Sequence, residues 1–270
     1  MVVGCRLVRW VVAVAVGGML QCSSAAANDE LRQSCVVVTG CTGWIGGHVV
    51  DQLLKVGFKI HCTVRDPTDT PKLQFLHDLE QQHAAQGGSI EWFAADLLSA
   101  TNPFSEAAVG CKGFIHVASP VNGGGAADEK TNPDALIAPA IKGTLNALTA
   151  AADAGATSFV MTSSVVSIAP SSAKAVGCTA DLQHPAAAGG AASACSAYTE
   201  VDQNDVATRT YGTYAFSKVR AEEEAHALAA KLGSKAPRIT SIHFSMAIGP
   251  QQNARCVTGR DAWGGEWSEE

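Results

Sequence analysis

The stretch "VVVTGCTGWIGGHVVDQLL", Val36 to Leu54, decides the fold. An apolar, β-branched run closes on Thr39, three glycines follow three residues apart (Gly40, Gly43 and Gly46), and an amphipathic stretch opens at Trp44. A strand, a glycine turn and a helix in that order bring the first N–H groups of the helix, which lack intrahelical partners, to the carboxyl end of the strand. That is a seat for an anion. Gly40 allows the tight turn, Gly43 lets the backbone come close to a pyrophosphate, and Gly46 lets the helix pack against the strand. The spacing is G-x-x-G-x-x-G rather than G-x-G-x-x-G, so on its own it also fits a tight βα turn with no ligand.

Outward from this stretch, short apolar runs alternate with helical-period segments, the pattern of βα units and a parallel sheet. Strands are expected at Cys35–Thr39, Lys59–Val64, Ile90–Ala94, Gly113–Val117, Ser158–Thr162 and Ile239–Phe244, with helices at Trp44–Val56, Lys72–Gln86, Pro103–Val109, Asp134–Ala154 and Tyr211–Leu232. Six strands with interleaved helices predict an α/β fold, a Rossmann-like doubly wound parallel sheet with helices on both faces, over residues 34–250. Ala169 to Ala197, rich in Ala, Ser and Gly, reads as a long surface insertion. Residues 251–270 form a polar, Gly-rich tail without strand or helix periodicity.

The 270 residues carry a net charge of -6 and a pI near 5.7, which leaves no basic footprint for nucleic acid or an anionic membrane face. A small-molecule partner fits better. Arg6 and Arg9 precede an apolar stretch from Trp10 to Leu20, and small residues surround Ala25 to Ala27, so residues 1–27 read as a signal peptide or N-terminal anchor. This places the chain in the secretory pathway or endoplasmic reticulum, with an organelle-targeted or cytoplasmic location as the alternative; membrane contact is expected only if the segment stays attached. Nine cysteines occur without CxxC pairs or zinc-type His spacing, so no metal is expected, and Cys41 and Cys62, inside core elements, read as buried free thiols.

The second strand ends "CTVRDPTDTPK", where the adenosine ribose of a dinucleotide lies in such folds; an acid there favours a free 2′-hydroxyl, an arginine a 2′-phosphate. Arg65 comes before Asp66, and Lys72 adds a second positive charge, which favours NADP(H) over NAD(H). A solvated Arg65–Asp66 turn pair is the bland alternative.

"TGCTGWIGGHVVDQLLKVGFKIHCTVRDP", with "ADL" at Ala95–Leu97, "GCKGFIHVASPV" at Gly110–Val121, "PAIKGTLNALTAA" at Pro139–Ala151, "FVMTSS" at Phe159–Ser164 and "YAFSKVRAEE" at Tyr214–Glu223, resembles the extended short-chain dehydrogenase/reductase superfamily. Within it the likeness is to the dihydroflavonol reductases and cinnamoyl-CoA reductases. The resemblance implies that Asp96 and Leu97 lie near the adenine. It implies that Val117, Ala118 and Ser119 line the cofactor pocket, and that Thr39, Trp44 and Ile45 join the glycines around the cofactor.

Tyr214 and Lys218, four apart on a helix, share a face. A free tyrosine has a pKa near 10, and an adjacent ammonium stabilises its phenolate, the role expected of Lys218. Ser164, just past the fifth strand, sits on the carboxyl edge and can donate to a substrate carbonyl; the resemblance favours it over Ser163. The expected reaction is the reduction of a ketone or aldehyde by hydride transfer, with Ser164 polarising the oxygen and Tyr214 delivering the proton while Lys218 tunes it and holds the ribose.

Two other reactive-looking groups have plainer readings: His116 and His243 as hydrogen-bonded core histidines, and Glu222–Glu224 as the solvated face of the Tyr214 helix.

The chain departs from the pattern it resembles in three places. Ser164 and Tyr214 are 50 residues apart (214 minus 164), lengthened by the insertion, which can loop out at modest entropic cost. His243-Phe244 stands where family members usually carry Asn-Pro, and only twenty residues follow Pro250, so the substrate lobe looks truncated. A non-catalytic nucleotide-binding protein is therefore the alternative function. A nucleotide-sugar epimerase or dehydratase is disfavoured by the "RDP" strand end and by Ala140, in the segment where those enzymes usually place an Asn. The resemblance also suggests a homodimer paired through the Tyr214 helix.

Overall fold

Short runs rich in β-branched and apolar residues, joined by helical crossovers, make the strands of the sheet. In the computed structural model, which describes residues 34–120, 132–168, 203–205, 207–208 and 212–244, the order is β1 (Cys35–Thr39), α1 (Trp44–Lys55), β2 (Lys59–Val64), α2 (Thr70–Gln82), β3 (Ser89–Ala94), α3 (Ser105–Ala108), β4 (Cys111–His116), α4 (Asp134–Asp153), β5 (Ser158–Ser164), α5 (Thr213–Leu232) and β6 (Arg238–Phe244). The strands lie in the order β3-β2-β1-β4-β5-β6, and each neighbouring pair is parallel. This is the doubly wound sheet expected, with its switch point between β1 and β4. The leader, the Ala/Ser/Gly-rich insertion and the tail lie outside the described residues.

Period-two alternation along β1 sends its side chains to both faces. Val36 and Val38 join Val49, Leu53 and Leu54 of α1 and Leu73 and Leu76 of α2 in one core. Val37 joins Phe114, Phe159 and Met161 with Ala147 and Leu148 of α4 and Ala225 of α5 in the other. Phe104, Phe114 and Phe159 are fully buried, with Phe104 edge-on to Phe114. The length and composition of α4 would suit a membrane span, but 61% of its apolar window is buried against the sheet and α5, as in a core helix.

Most boundaries move by one to four residues, and the pairing of the strands explains two of these shifts. β5 runs to Ser164 instead of stopping at Thr162, because β6 pairs with it as far as Ser164 opposite Phe244. β4 begins at Cys111, since its first residue pairs with Cys35 at the start of β1.

The reading of the cysteines is corrected. Cys41 and Cys62 are disulfide-bonded, tying the glycine turn to β2, and Cys35 and Cys111 form a second disulfide across β1 and β4. Both bridges close loops, of 76 and 21 residues, whose restriction in the unfolded chain is worth roughly 4 and 3 kcal/mol taken singly. The thermal midpoint should therefore fall by several degrees when a phosphine reductant is present during unfolding, read by circular dichroism; an unchanged midpoint would show that the bridges are not formed. Cys35, Cys111 and His61 also bring their ligand atoms within 4.8 Å of one another. As a disulfide the two sulfurs have no thiolate to offer a metal ion.

Candidate active site

The glycine turn is built by contacts that only glycine permits. Gly40 has φ 70°, and a Cβ there would lie 3.0 Å from the Ala118 nitrogen. Its carbonyl accepts from the Gly43 N–H at 3.0 Å, and a Cβ on Gly46 would stand 2.0 Å from that same oxygen. Gly46 thus lets α1 close onto the turn itself, nearer than the strand packing foreseen. Gly43 is the N-cap of α1 and caps with no side chain, so the opening of the helix is backbone only. Gly43 is exposed there, with Trp44 and Ile45 half-buried beside it.

Thr39 has a different place from the one expected. It is fully buried, and its Oγ1 accepts from the Val117 and Ala118 N–H groups at 3.0 Å each and meets His116 Nδ1 at 2.9 Å. Its hydroxyl pins the ends of β1 and β4 together at the switch point. His116 is the hydrogen-bonded core histidine expected; burial first, and then the charge of Lys218, push it down to about 3. Val117, Ala118 and Ser119 follow, half-buried, at the carboxyl edge.

At the end of β2 a cleft of about 270 Å³ is lined by Thr42, Arg65, Asp66, Asp69 and Lys72 among others. Thr42 comes from the glycine turn, Arg65 from just past β2, and Lys72 from the first turn of α2, where the Asp69 side chain caps its N–H at 3.3 Å. The Asp66 Oδ1 accepts from both the N–H and the hydroxyl of Thr68, at 2.8 and 2.6 Å, and these bonds hold its carboxyl below the usual range. Asp66 is thereby folded into its own turn and Arg65 is exposed at the mouth. Across the sheet edge Asp96 is exposed and caps a turn by accepting from the Leu98 N–H. The half-buried Leu97 lays its side chain where a Cβ on Gly143 of α4 would be.

On the other side of the switch point the strand-end serines meet α5. Ser164 lies near enough to Tyr214 for its hydroxyl to act on the phenol, so the 50-residue separation in sequence is closed in space, while its Oγ donates to the Phe244 carbonyl at 3.4 Å. Burial raises the Tyr214 phenol and the Ser164 hydroxyl draws it part of the way back. The sequence assigns that relief to Lys218. Its Nζ donates to the Thr162 carbonyl at 3.0 Å and stands 5.7 Å from the centre of the Tyr214 ring. Lys218 is itself buried, which pushes it down to about 8 against the opposing pull of Glu222.

Glu222 is the group that the sequence reading misplaced. Its side chain is only 19% exposed, and its Oε2 accepts from Ser163 Oγ at 2.8 Å and faces His243 Nε2 at 3.1 Å. Arg220 pairs with Glu223 and Glu224, so only those two carboxylates form the outward face foreseen for the whole run. His243 is hydrogen-bonded, as expected, but half-buried beside the Glu222 carboxylate. The usable signal was spacing: Tyr214, Lys218 and Glu222 succeed one another every four residues and share one helical face.

A model of the NAD dependent epimerase/dehydratase family matches residues 36–259. The chain belongs to that family. Among curated relatives, cinnamoyl-CoA reductase 1 of rice (Oryza sativa subsp. japonica) is 39% identical over 137 residues, 51% of this chain and 36% of that one. The dihydroflavonol 4-reductase of barley (Hordeum vulgare) is 37% identical over 134 residues, 49% of this chain and 35% of that one. The matched stretches thus span about a third of these relatives' length. These matches fit the extended short-chain dehydrogenase/reductase group of dihydroflavonol and cinnamoyl-CoA reductases, as the motifs implied. The solved structure of yeast methylglyoxal/isovaleraldehyde reductase complexed with NADPH aligns with a TM-score of 0.61 at 20% identity, over 86% of this chain and 64% of that one, a likeness of fold.

Proposed function

We propose that this chain is an NADP(H)-dependent oxidoreductase that reduces a small ketone or aldehyde to an alcohol. The observation that carries the reading is the gathering of Ser164, Tyr214 and Lys218 where the end of β5 meets α5, set across the switch point from a cleft holding Arg65 and Lys72. The residues present suit a phosphorylated dinucleotide. The turn leaves no room for a Cβ at Gly46, the cleft beside it carries two cations, and the Asp66 carboxylate that would favour a free 2′-hydroxyl is tied to Thr68. Family membership and the names of the relatives support the same chemistry.

NADPH, when bound, supplies the hydride. The opening of α1 and the glycine turn would hold its pyrophosphate, Arg65 and Lys72 its 2′-phosphate, and the segment from Val117 to Ser119 with Asp96 and Leu97 would flank its remaining parts. Ser164 donates a hydrogen bond to the carbonyl oxygen, drawing charge onto it. Tyr214 gives that oxygen its proton, and Lys218 offsets the negative charge left on the phenol. The two disulfides favour folding in an oxidising compartment, which supports the secretory-pathway or endoplasmic reticulum location read from the leader.

The test is turnover of NADPH against a panel of aromatic and aliphatic aldehydes and ketones, together with titration of NADPH and NADH binding. Saturable NADPH binding without turnover across the panel would favour the alternative, a nucleotide-binding protein without catalysis. Arg65→Ala should weaken NADPH by about 10- to 100-fold, the loss of a charge-assisted contact worth roughly 1.5–3 kcal/mol, and leave NADH nearly unchanged. Equal losses for both would remove the phosphate role of Arg65.

A further inference from the structure

Glu222 lies where three elements meet beneath the Ser164, Tyr214 and Lys218 side chains. From α5 its carboxylate reaches β5 through Ser163, the turn after β5 through Ser167, and β6 through His243, at 2.8, 3.5 and 3.1 Å. Ser163 and Ser167 are 3.0 Å apart, and Ser167 donates to the Ser164 carbonyl at 2.7 Å. One carboxylate oxygen therefore anchors Ser163, the residue before Ser164, while the single Ser167 hydroxyl proton goes to the Ser164 carbonyl. The turn is fixed in addition by buried Asn204, whose side chain donates to the Val166 carbonyl at 2.8 Å and whose N–H donates to the Ser167 carbonyl at the same distance.

The same carboxylate stands one helical turn beyond Lys218. An ammonium that is 6% exposed is costly to keep charged unless an anion compensates it, and Glu222 is the carboxylate that raises the Lys218 proton affinity. Around Lys218 the other groups are neutral at working pH: Tyr214 on its own helix, the Thr162 carbonyl and Ser164 on β5, and His116 on β4, held down to about 3. Around Glu222 the partners are Ser163 on β5, Ser167, and His243 on β6. Burial works to raise its carboxyl, yet the bonds from His243 and Ser163 hold it at about 2, so it is an anion throughout the working range.

We propose that Glu222 is a positioning residue for the Ser164, Tyr214 and Lys218 set: it fixes the Ser164 strand end through Ser163 and supplies the buried negative charge that keeps Lys218 an ammonium, with His243 holding the carboxylate from β6. The proposal rests on the catalytic reading above, but half of it concerns a charge that can be measured without turnover. His243 gives it a feature of this chain's own, since it occupies the place where the resembled family usually carries Asn.

The experiment follows Lys218 directly, through the 13Cε resonance of lysine-labelled full-length protein, assigned by its loss in Lys218→Arg. In Glu222→Gln the Lys218 titration midpoint should fall by on the order of one pH unit or more, as a charge lost from a partly screened site about one helical turn away requires. The sign follows from the linkage: without the anion the ammonium loses its proton at lower pH, so the alkaline limb of kcat/KM should move to lower pH by the same amount. Glu222→Asp, which keeps the charge, should restore the midpoint. Ser163→Ala keeps the charge and removes only the tether, so it should lower kcat while the alkaline limb stays in place. An unchanged Lys218 midpoint in Glu222→Gln overturns the proposal. If Glu222→Gln fails to fold, a kcat in Ser163→Ala equal to that of wild type overturns the tether half. If no substrate turns over in wild type, the catalytic reading fails, and the Lys218 midpoint still decides whether Glu222 sets its charge.

Discussion

Gly46→Ala is expected to unfold the protein's cofactor half, and Gly43→Ala is expected to be mild beside it. The new methyl group at Gly46 would stand 2.0 Å from the Gly40 carbonyl oxygen and 2.8 Å from its carbon, and both are backbone atoms. No side chain can rotate out of the way. Gly40 has no freedom to yield either: it is at φ 70°, its carbonyl is bonded to the Gly43 N–H at 3.0 Å, and its own α-carbon faces the backbone of Ala118. The clash must open the turn or push α1 off β1, and both routes disturb the core of Val49, Val50, Leu53 and Leu54. Overpacking of this kind costs about 1–3 kcal/mol where side chains can adjust, and more where only backbone is in the way. At Gly43 the corresponding methyl would meet the same oxygen at 3.2 Å with φ -79°, which a shift of a few tenths of an ångström relieves. Chemical denaturation of the two variants should therefore separate them by about 2 kcal/mol or more, with NADPH binding lost in Gly46→Ala. Equal stabilities would mean that the turn is built differently.

The same turn shows which features local sequence makes legible. β1, β2 and the start of α1 fall at the residues expected, because apolar runs bounded by glycines and charged residues leave little choice of period or register. Where the reading failed, the deciding contact was distant in sequence. Cys41 and Cys62 look like small hydrophobes within their own segments, and their pairing depends on β2 lying beside β1. Cys35 meets Cys111 only because β4 crosses to the other side of β1, across 76 residues. "TSS" reads as the polar end of a strand at Thr162, yet pairing with β6 carries β5 two residues further and brings Ser163 and Ser164 within the sheet's edge beside α5. Of three consecutive glutamates, composition cannot say which turns inward. The four-residue spacing from Tyr214 through Lys218 to Glu222 can, and the partners waiting there, Ser163 and His243, come from strands 59 and 21 residues away.

Tyr214→Phe is expected to lower kcat/KM by about 10²- to 10⁴-fold, the range of a lost general acid, with NADPH affinity within a factor of two of wild type. The substitution keeps the ring that packs near Lys218 and deletes only the hydroxyl, so the cleft at Arg65 and Lys72, on the far side of the switch point, keeps its lining. Removing the hydroxyl leaves Ser164 able to polarise a carbonyl, and nothing positioned to protonate the resulting oxyanion. Burial holds the phenol above its ordinary value and the Ser164 hydroxyl partly opposes this, so Tyr214 is protonated at neutral pH and ready to act as the acid in the direction of reduction. The reverse reaction, which needs a phenolate, should rise with pH until the Lys218 ammonium, held at about 8, begins to lose its proton. In Tyr214→Phe that rise should vanish while the protein melts within a few degrees of wild type. Steady-state rates in both directions across pH 6 to about 10, where an unperturbed tyrosine titrates, check this. Wild-type turnover in Tyr214→Phe would move the proton donor elsewhere and leave the approach of Ser164 and Tyr214 a purely structural meeting of β5 and α5.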